Sequence, residues 1–298
     1  MINSLTLAVP ATSGNIGAGF DCMGVALSLY NTFRFAPATT LQIAITGKGA
    51  EKLPRSQHNL VYYAWQRYWQ KIGKPVPPVS IEINLAVPTA RGLGSSATAI
   101  CAGVYGANLW AGAPLDRPAL VKLASEIEGH PDNVAPALLG GCQLVAGEVI
   151  CPIPWHGSIG IVVGIPEFEL STSRARQVLP SQVPLQDAVF NCARVGLLTQ
   201  ALATGNPDWL KEALNDRLHQ PYRQSLIPAM AEIHQAVLGQ GAYGMVISGA
   251  GPTLLALGDR SLSQQIGKTM QEIWQNAGIA SQFLCLEVAQ EGTKYDCD

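Results

Sequence analysis

Charge of either sign is scarce in this sequence. Of 298 residues only 13% are charged, and 19 lysines and arginines stand against 21 aspartates and glutamates. Without a basic excess, we expect no nucleic-acid partner and no attraction to an anionic membrane surface. No apolar run reaches the roughly 18 residues of a membrane-spanning helix. The N-terminus also lacks the basic start and apolar segment of a secretory signal. These absences predict a cytoplasmic protein with no membrane partner.

Paired cysteines are missing as well. The seven cysteines are dispersed and never form a CxxC pair, which argues against a zinc knuckle or a disulfide framework. Reduced thiols are typical of cytosolic proteins. What the sequence does contain is apolar material, at 48% of its residues, and this is enough for a substantial core.

Apolar periodicity predicts an α+β chain in two parts. In the first part we expect strands over residues 5–9, 25–35, 41–46 and 79–87, and helices over 59–70, 96–110 and 116–128. In the second part we expect strands over residues 159–165, 244–248, 253–258 and 281–288, and helices between 173 and 238 and over 262–277. A segment rich in proline and glycine separates the two parts, so the predicted domains are 1–155 and 156–298. The acidic C-terminal segment has the composition of a mobile end.

The most informative segment is PTARGLGSSATA, residues 88–99. It joins a predicted strand to a predicted helix, and its glycines, Gly92 and Gly94, allow the backbone to approach a ligand closely. Ser95 and Ser96 stand where the helix begins, and there unpaired amides and the helix dipole favour an anion, most often a phosphate. A tight turn with a serine N-cap is the simpler alternative.

Two common nucleotide motifs fit this segment poorly. Gly92, Gly94 and Ala97 match G-x-G-x-x-[G/A], but the acidic residue at a suitable distance, Asp116, lies in a turn before a helix rather than at a strand end. A Walker A motif is absent because no Lys-Ser or Lys-Thr follows the glycines. Bound ATP would therefore need Mg²⁺ held by one of the two serines and by a carboxylate from elsewhere.

Two further segments bring together groups suited to a site. Glu128, His130, Asp132 and Asn133 crowd into six residues at the end of a predicted helix. They suit metal coordination and hydroxyl orientation, or else form a solvated loop in which Asn133 caps the next helix. The turn at residues 249–253 lies between two predicted strands, either as a simple hairpin or as a second approach of backbone to the site.

Residues 88–99 resemble the phosphate loop P-x-x-x-G-L-G-S-S-A of the GHMP kinases. Five more segments resemble the homoserine kinases of that superfamily, in the same order: residues 9–27, 128–141, 171–180, 221–228 and 248–253. The resemblance implies ATP-dependent phosphorylation of the side-chain hydroxyl of L-homoserine, on the route to threonine. It also implies a two-domain GHMP kinase fold, with a left-handed β-α-β unit in an N-terminal ATP-binding domain and a ferredoxin-like C-terminal domain.

The resemblance gives the glycine-rich segment the role of binding ATP. Its backbone amides would wrap the triphosphate, and Asn59 would contact adenine, although Asn59 also fits a helix N-cap. Ser96 and Glu128 would hold Mg²⁺ as hard oxygen ligands. The implied nucleotide-binding residues are Asn59, Pro88, Arg91, Gly92, Leu93, Gly94, Ser95, Ser96 and Ala97.

The resemblance also supplies partners for a small zwitterionic acceptor. Asp21 would pair with the ammonium group, and Arg176 and Arg223 would clamp the carboxylate, with Arg174 as the alternative to Arg176. The other implied substrate-binding residues are Asn15, His130, Asn133 and Gly249. Near Asn15 the sequence departs from the family, which often has alanine and proline where Gly14 and Ala18 stand, and we expect the local geometry to survive this change.

Asn133, Glu128 and Ser96 are the predicted catalytic residues. Several GHMP kinases place an aspartate base where this sequence has Asn133, and asparagine cannot accept a proton. The resemblance therefore implies in-line attack without a strong protein base, carried by positioning and charge neutralisation. A role for Asp132 in proton transfer is left open, as is a homodimer. The alternatives are another GHMP kinase, such as a mevalonate kinase, and an inactive nucleotide-binding regulatory protein.

Overall fold

Two β-sheets organise the chain. In the computed structural model, which describes residues 3–297, one sheet has seven strands and the other has four. The strands are β1 (Leu5–Gly14), β2 (Met23–Pro37), β3 (Gln42–Gly47), β4 (Val79–Leu85), β5 (Cys142–Ala146), β6 (Val149–Ile153), β7 (Ile159–Pro166), β8 (Ala242–Ile247), β9 (Leu254–Asp259), β10 (Ser281–Leu286) and β11 (Lys294–Cys297). The helices are α1 (Leu60–Lys71), α2 (Ser95–Trp110), α3 (Arg117–Glu128), α4 (Val134–Leu139), α5 (Thr172–Gln177), α6 (Leu185–Thr204), α7 (Pro207–Ala213), α8 (Gln220–Arg223), α9 (Met230–Gly239) and α10 (Ser263–Asn276).

The seven-stranded sheet carries the buried helix α2. Its main path runs β11-β1-β2-β4-β3, and β5 and β6 extend it from β2. Strands β3 and β4 pair in parallel, and α1 connects them, so they form a β-α-β unit. Helix α2 packs against α1 so closely that a Cβ at Gly103 would lie 2.4 Å from the carbonyl oxygen of Val61. The left hand of the β-α-β unit stays a prediction.

The four-stranded sheet is ferredoxin-like. Its order is β10-β7-β9-β8, and every pair in it is antiparallel. Helices α5 to α9 follow β7, the β8–β9 hairpin comes next, and α10 leads into β10. This is the split β-α-β arrangement, built on a core in which Ile266, Met270 and Trp274 of α10 are fully buried. The expected ferredoxin-like C-terminal part is confirmed.

Most predicted elements are present, and the C-terminal segment is the main correction. Residues 294–297 form β11 and pair with β1 at the edge of the first sheet, so this part of the 291–298 segment is ordered although its composition suggests a mobile end; residue 298 lies outside the described residues. The backbone there is held because it completes a sheet edge. The division at residues 155 and 156 remains a prediction, and any such division has to accommodate this returning strand.

None of the helices in residues 3–297 combines the length and apolar character that crossing a bilayer requires.

Candidate active site

A cleft forms where the glycine-rich segment meets loops from both sheets. Thirteen of the predicted site residues line it: Asn15, Asp21, Arg91, Gly92, Gly94, Ser95, Ser96, Glu128, His130, Asn133, Arg176, Arg223 and Gly249. Five lining residues were not predicted as site residues: Ala90, Leu170, Thr172, Ala250 and Gly251. Residues from six separate segments of the sequence therefore meet at one place.

The N-terminus of α2 opens into this cleft. Its N-cap is Gly94, which has a left-handed backbone with φ 67° and makes no side-chain cap, so the serine N-cap alternative is wrong. A Cβ at Gly94 would lie 2.0 Å from the hydroxyl oxygen of Thr12, and this close approach requires glycine. The first-turn amides of a 16-residue buried helix thus face the cleft without a side chain over them, as an anion site requires.

Hydrogen bonds from β1 and from the β8–β9 turn hold the glycine-rich segment in place. The Ser248 hydroxyl donates to the Gly92 carbonyl at 2.6 Å and lies 2.8 Å from the Ser13 hydroxyl oxygen. The Thr12 amide donates to the Leu93 carbonyl at 3.1 Å. A Cβ at Gly92 would lie 2.3 Å from the Ser248 carbonyl oxygen. The 249–253 turn is therefore both a hairpin and a second approach of backbone to the site.

Ser96 and Glu128 place two possible metal-ligand oxygens next to the N-terminus of α2. The Ser96 hydroxyl donates to Glu128 Oε2 at 2.7 Å. Two ligand oxygens on adjacent vertices of an octahedral Mg²⁺ site lie about 2.9 Å apart, given bonds of roughly 2.0–2.1 Å. The spacing and the chemistry of the two donors therefore fit Mg²⁺. Burial raises the pKa of Glu128, and its hydrogen bond with Ser96 opposes this rise.

The turn between α3 and α4 is tied together by Asp132. The Asp132 side chain is 1% exposed, and its Oδ1 lies 2.6 Å from His130 Nδ1. Asn133 Nδ2 donates to Asp132 Oδ2 at 3.1 Å, and Asn133 Oδ1 accepts from the Thr12 hydroxyl at 2.8 Å. Asn133 is the N-cap residue of α4, as the alternative expected, but its side chain makes no capping hydrogen bond. His130 and Asn133 line the cleft, whereas Asp132 lies behind them.

Asp132 also shapes the electrostatics of this turn. Its hydrogen bond raises the pKa of His130. Asp21, His130 and Asp132 place possible metal ligand atoms within 4.8 Å of one another. The two carboxylates already have partners, however, because Asp21 pairs with Arg176 and Asp132 with His130.

Charged groups face each other at the acceptor end of the cleft. Arg176 makes a two-pronged ion pair with Asp21, at 2.9 Å from Nη1 to Oδ2 and 2.7 Å from Nη2 to Oδ1. Arg223 is 1% exposed and donates from Nη1 to the Gly249 carbonyl at 3.1 Å. Asn15 Nδ2 donates to the same carbonyl at 2.9 Å. Arg174, the alternative to Arg176, is exposed and does not line the cleft.

Phe20 and His219 support the two arginines, and no pattern in the sequence singled them out. Arg176 and Arg223 lie over the Phe20 ring, at 5.7 and 5.1 Å from its centroid. The His219 ring stacks on the Phe20 ring, with the two ring centroids 5.1 Å apart, and His219 Nδ1 lies 3.4 Å from Arg223 Nη1. Phe20 is partly exposed in the turn that follows β1, and His219 is fully buried just before α8. Neither position belongs to a sequence motif, so only the tertiary structure locates this support.

Four predicted nucleotide-binding residues do not line the cleft. Asn59 is 3% exposed, caps α1 through Val61, and donates to the Pro54 carbonyl at 2.8 Å. Pro88 lies in an adjoining pocket that it shares with Arg91. Leu93 and Ala97 are buried beneath the loop. The predicted adenine contact of Asn59 stays a prediction.

Comparisons with known proteins agree with this geometry. Residues 59–141 match "GHMP kinases N terminal domain", and residues 198–276 match "GHMP kinases C terminal". The homoserine kinase of Synechococcus sp. is 52% identical, with 97% of each chain covered, and that of Trichodesmium erythraeum is 49% identical, with 99% of each covered.

Solved structures agree on the fold. A crystal structure of homoserine kinase from Cytophaga hutchinsonii matches with a TM-score of 0.90 at 30% identity, covering 99% of this chain and 98% of that one. A mevalonate kinase structure matches with a TM-score of 0.71 at 13% identity, covering 96% of this chain and 99% of that one, and it shares the fold alone. The chain belongs to the GHMP kinase superfamily, and within it to the homoserine kinase family.

Proposed function

We propose that this protein transfers the γ-phosphoryl group of ATP to the side-chain hydroxyl of L-homoserine, giving O-phospho-L-homoserine for threonine biosynthesis. One observation carries the proposal: the uncapped N-terminus of α2 and the Asp21–Arg176 pair line the same cleft. The first suits a triphosphate and the second suits an amino acid. The names of the full-length relatives support the same reaction.

ATP is bound through the backbone of the glycine-rich loop. The free amides of the first turn of α2 receive the phosphates, and Ser248 and Ser13 keep the loop in its shape. Ser96 and Glu128, whose side-chain oxygens lie 2.7 Å apart, would hold Mg²⁺. When bound, Mg²⁺ supplies charge neutralisation on the transferring phosphoryl group.

L-homoserine takes the place of the internal ion pair. Its ammonium group pairs with Asp21 and its carboxylate with Arg176. Each of these side chains thus replaces its partner in the ion pair by the oppositely charged group of the substrate. Arg223 is held by backbone carbonyls and Phe20, so it presents its charge without further ordering. Charge-assisted pairs of this kind orient as well as bind, which directs the side-chain hydroxyl toward His130 and Asn133.

No strong base takes the hydroxyl proton. Asn133 cannot accept a proton, and the carboxylate of Asp132 is already engaged by His130 and Asn133 and lies behind the cleft wall. A loose transition state gains little from early deprotonation, so positioning and charge neutralisation carry the rate. Asn133→Ala is then expected mainly to weaken acceptor positioning. Loss of turnover in Asp132→Asn, with folding and homoserine binding intact, would contradict the base-free mechanism.

The test is a phosphorylation assay over small hydroxyl compounds. Purified protein, ATP and Mg²⁺ are offered L-homoserine, L-serine, L-threonine and mevalonate, with ADP release coupled to NADH oxidation. We expect preferential turnover of L-homoserine and none in EDTA. Preferential turnover of mevalonate would favour the alternative of a mevalonate kinase, and ATP binding without turnover would favour an inactive regulatory protein. A cytoplasmic location and a homodimer stay predictions.

A further inference from the structure

Two facing glycines leave a bare slot on the sheet next to the active site. Gly14 on β1 pairs in register with Gly24 on β2, and both are buried. Neither glycine has a left-handed backbone, so any residue can adopt their conformation. What requires glycine here is space, because the turn between α3 and α4 packs directly on both positions.

Asp132 fills this slot. A Cβ at Gly14 would lie 1.9 Å from Asp132 Oδ2 and 2.5 Å from Asn133 Nδ2, which is hydrogen-bonded to that oxygen. A Cβ at Gly24 would lie 1.8 Å from the Asp132 backbone carbonyl oxygen. Real Cβ atoms essentially never approach another heavy atom more closely than 3.0 Å. With any side chain at residue 14, the separation therefore has to grow by more than 1 Å (from 1.9 to at least 3.0 Å), and we expect the carboxylate to move because it is the end of a side chain whereas β1 is held within a sheet.

We infer that Gly14 is a positioning residue, which acts through Asp132 on the acceptor-binding groups. The inference rests on the proposed function. In the slot, one carboxylate oxygen of Asp132 reaches His130 and the other reaches Asn133, at 2.6 and 3.1 Å. A carboxylate displaced by an ångström cannot keep both contacts, because hydrogen bonds weaken steeply with distance and angle.

The consequence is specific to the acceptor side of the cleft. His130 and Asn133 line the cleft near Asp21, whereas Ser96 and the first turn of α2 lie on the nucleotide side.

A double-mutant cycle tests the inference. For Gly14→Ala we expect kcat/KM for L-homoserine to fall by about fivefold or more, the range found for contacting residues that are coupled. The KM for ATP should stay within twofold or so of the wild-type value, because the nucleotide side is untouched. In the Asp132→Ala background the loss caused by Gly14→Ala should be clearly smaller, since the closest atom that it displaces is gone and only the contact with Asn133 Nδ2 remains. In the Asp132→Asn background the loss should persist, because asparagine fills the same space.

Gly196→Ala is the matched control. Gly196 lies on α6, where an added Cβ meets nothing within 4 Å, so its kinetics should equal those of the wild type. Equal losses from Gly14→Ala in the wild-type and Asp132→Ala backgrounds would overturn the inference, because the effect would then bypass Asp132. A rise in the KM for ATP as large as that for L-homoserine would overturn it too.

A crystal structure of Gly14→Ala separates this inference from the proposed function. We expect Asp132 Oδ1 more than 3.5 Å from His130 Nδ1, whichever substrate the protein accepts. A shifted β1 beside an unmoved Asp132 carboxylate would refute the inference that Gly14 controls the position of this carboxylate. If the wild type fails to phosphorylate L-homoserine, the proposed function fails. The position of Asp132 in the Gly14→Ala crystal structure still shows whether Gly14 controls the carboxylate.

Discussion

Glu128 illustrates, at the scale of one residue, how function and stability conflict. Its carboxylate is held next to Ser96 in a half-buried position, and desolvation raises its pKa above the ordinary value of 4.5. The folded protein therefore binds this proton more tightly than the unfolded chain does. The ionised carboxylate costs stability above pH 4.5, and the cost grows until the pH passes the folded pKa.

Glu128→Gln should consequently stabilise the protein while inactivating it. In EDTA at pH 7 we expect a higher free energy of unfolding than in the wild type, with the difference vanishing toward pH 4. Turnover should fall by about 100-fold or more, as expected for losing charge stabilisation at a reacting phosphoryl group. Urea unfolding and the coupled assay measure the two effects. Glu126→Gln, an exposed neighbour on α3, should change neither, and a less stable Glu128→Gln would contradict the argument.

His219 is the second residue whose environment sets a pH dependence. It is fully buried, its Nε2 lies 3.1 Å from the Gly17 carbonyl oxygen, and its Nδ1 faces Arg223. A neutral ring satisfies both neighbours, by donating to Gly17 and accepting from Arg223. Burial lowers the pKa of His219 below its ordinary 6.5.

We therefore expect the contribution of His219 to stability to be lost in acid. It is fully present above pH 6.5 and decreases as the unfolded chain takes up the proton, by up to about 1.4 kcal/mol per pH unit for one group. The wild type minus His219→Gln difference in unfolding free energy should shrink between pH 7.5 and pH 5.5, because glutamine does not titrate. His130 has a raised pKa and so changes the stability with pH in the opposite sense. Because both proteins contain His130, its contribution cancels in this difference. A difference that is constant over this range would show that His219 does not titrate as described.

At the scale of elements, the glycine-rich loop is only as rigid as its anchors. The Ser248 hydroxyl links the β8–β9 turn to both the loop and β1. Ser248→Ala leaves the Gly92 carbonyl without that donor, which typically costs about 1–3 kcal/mol when the group is buried. We expect a loss of stability in that range and a KM for ATP raised several-fold, with the KM for L-homoserine nearly unchanged. Ser225→Ala, at an exposed hydroxyl, is the control, and an effect on L-homoserine alone would contradict the anchoring role.

Elements that are determined by local sequence were predictable, and elements determined by distant contacts were not. The spacing of apolar residues and the Asn59 and Asp116 caps located α1, α2 and α3 closely. The pairing of β11 with β1 depends on an edge that the other end of the chain supplies, and a polar tail carries no sign of it. The same holds within the site. The loop and the charged residues could be identified from the sequence, whereas the roles of Phe20, His219 and the slot at Gly14 depend on how distant segments pack together.

At the scale of the whole molecule, the C-terminal residues close the first sheet and brace the active site from behind. Thr293 donates from its hydroxyl to the Ala137 carbonyl at 2.9 Å, and its own carbonyl accepts from Arg117. Arg117 also donates to the Leu138 carbonyl. Ala137 and Leu138 belong to α4, and α4 begins next to Asn133. The C-terminal segment therefore helps to hold α4, which positions Asn133 at the acceptor site.

A truncation after Gln290 tests this bracing. It removes β11, exposes the edge of β1, leaves the Ala137 carbonyl without the Thr293 hydroxyl, and takes away the Thr293 carbonyl that accepts from Arg117. Lost hydrogen bonds of about 1 kcal/mol each should lower Tm by roughly 5 °C or more, and kcat for L-homoserine should fall at temperatures where the truncated protein is still folded. Truncation after Asp296 keeps Thr293 and three of the four β1–β11 pairs, so it should behave like the wild type. If the longer truncation matched the wild type in both Tm and kcat, the returning strand would be dispensable, and the rigidity of α4 would have to come from its packing on α2, α3 and the strands beneath it.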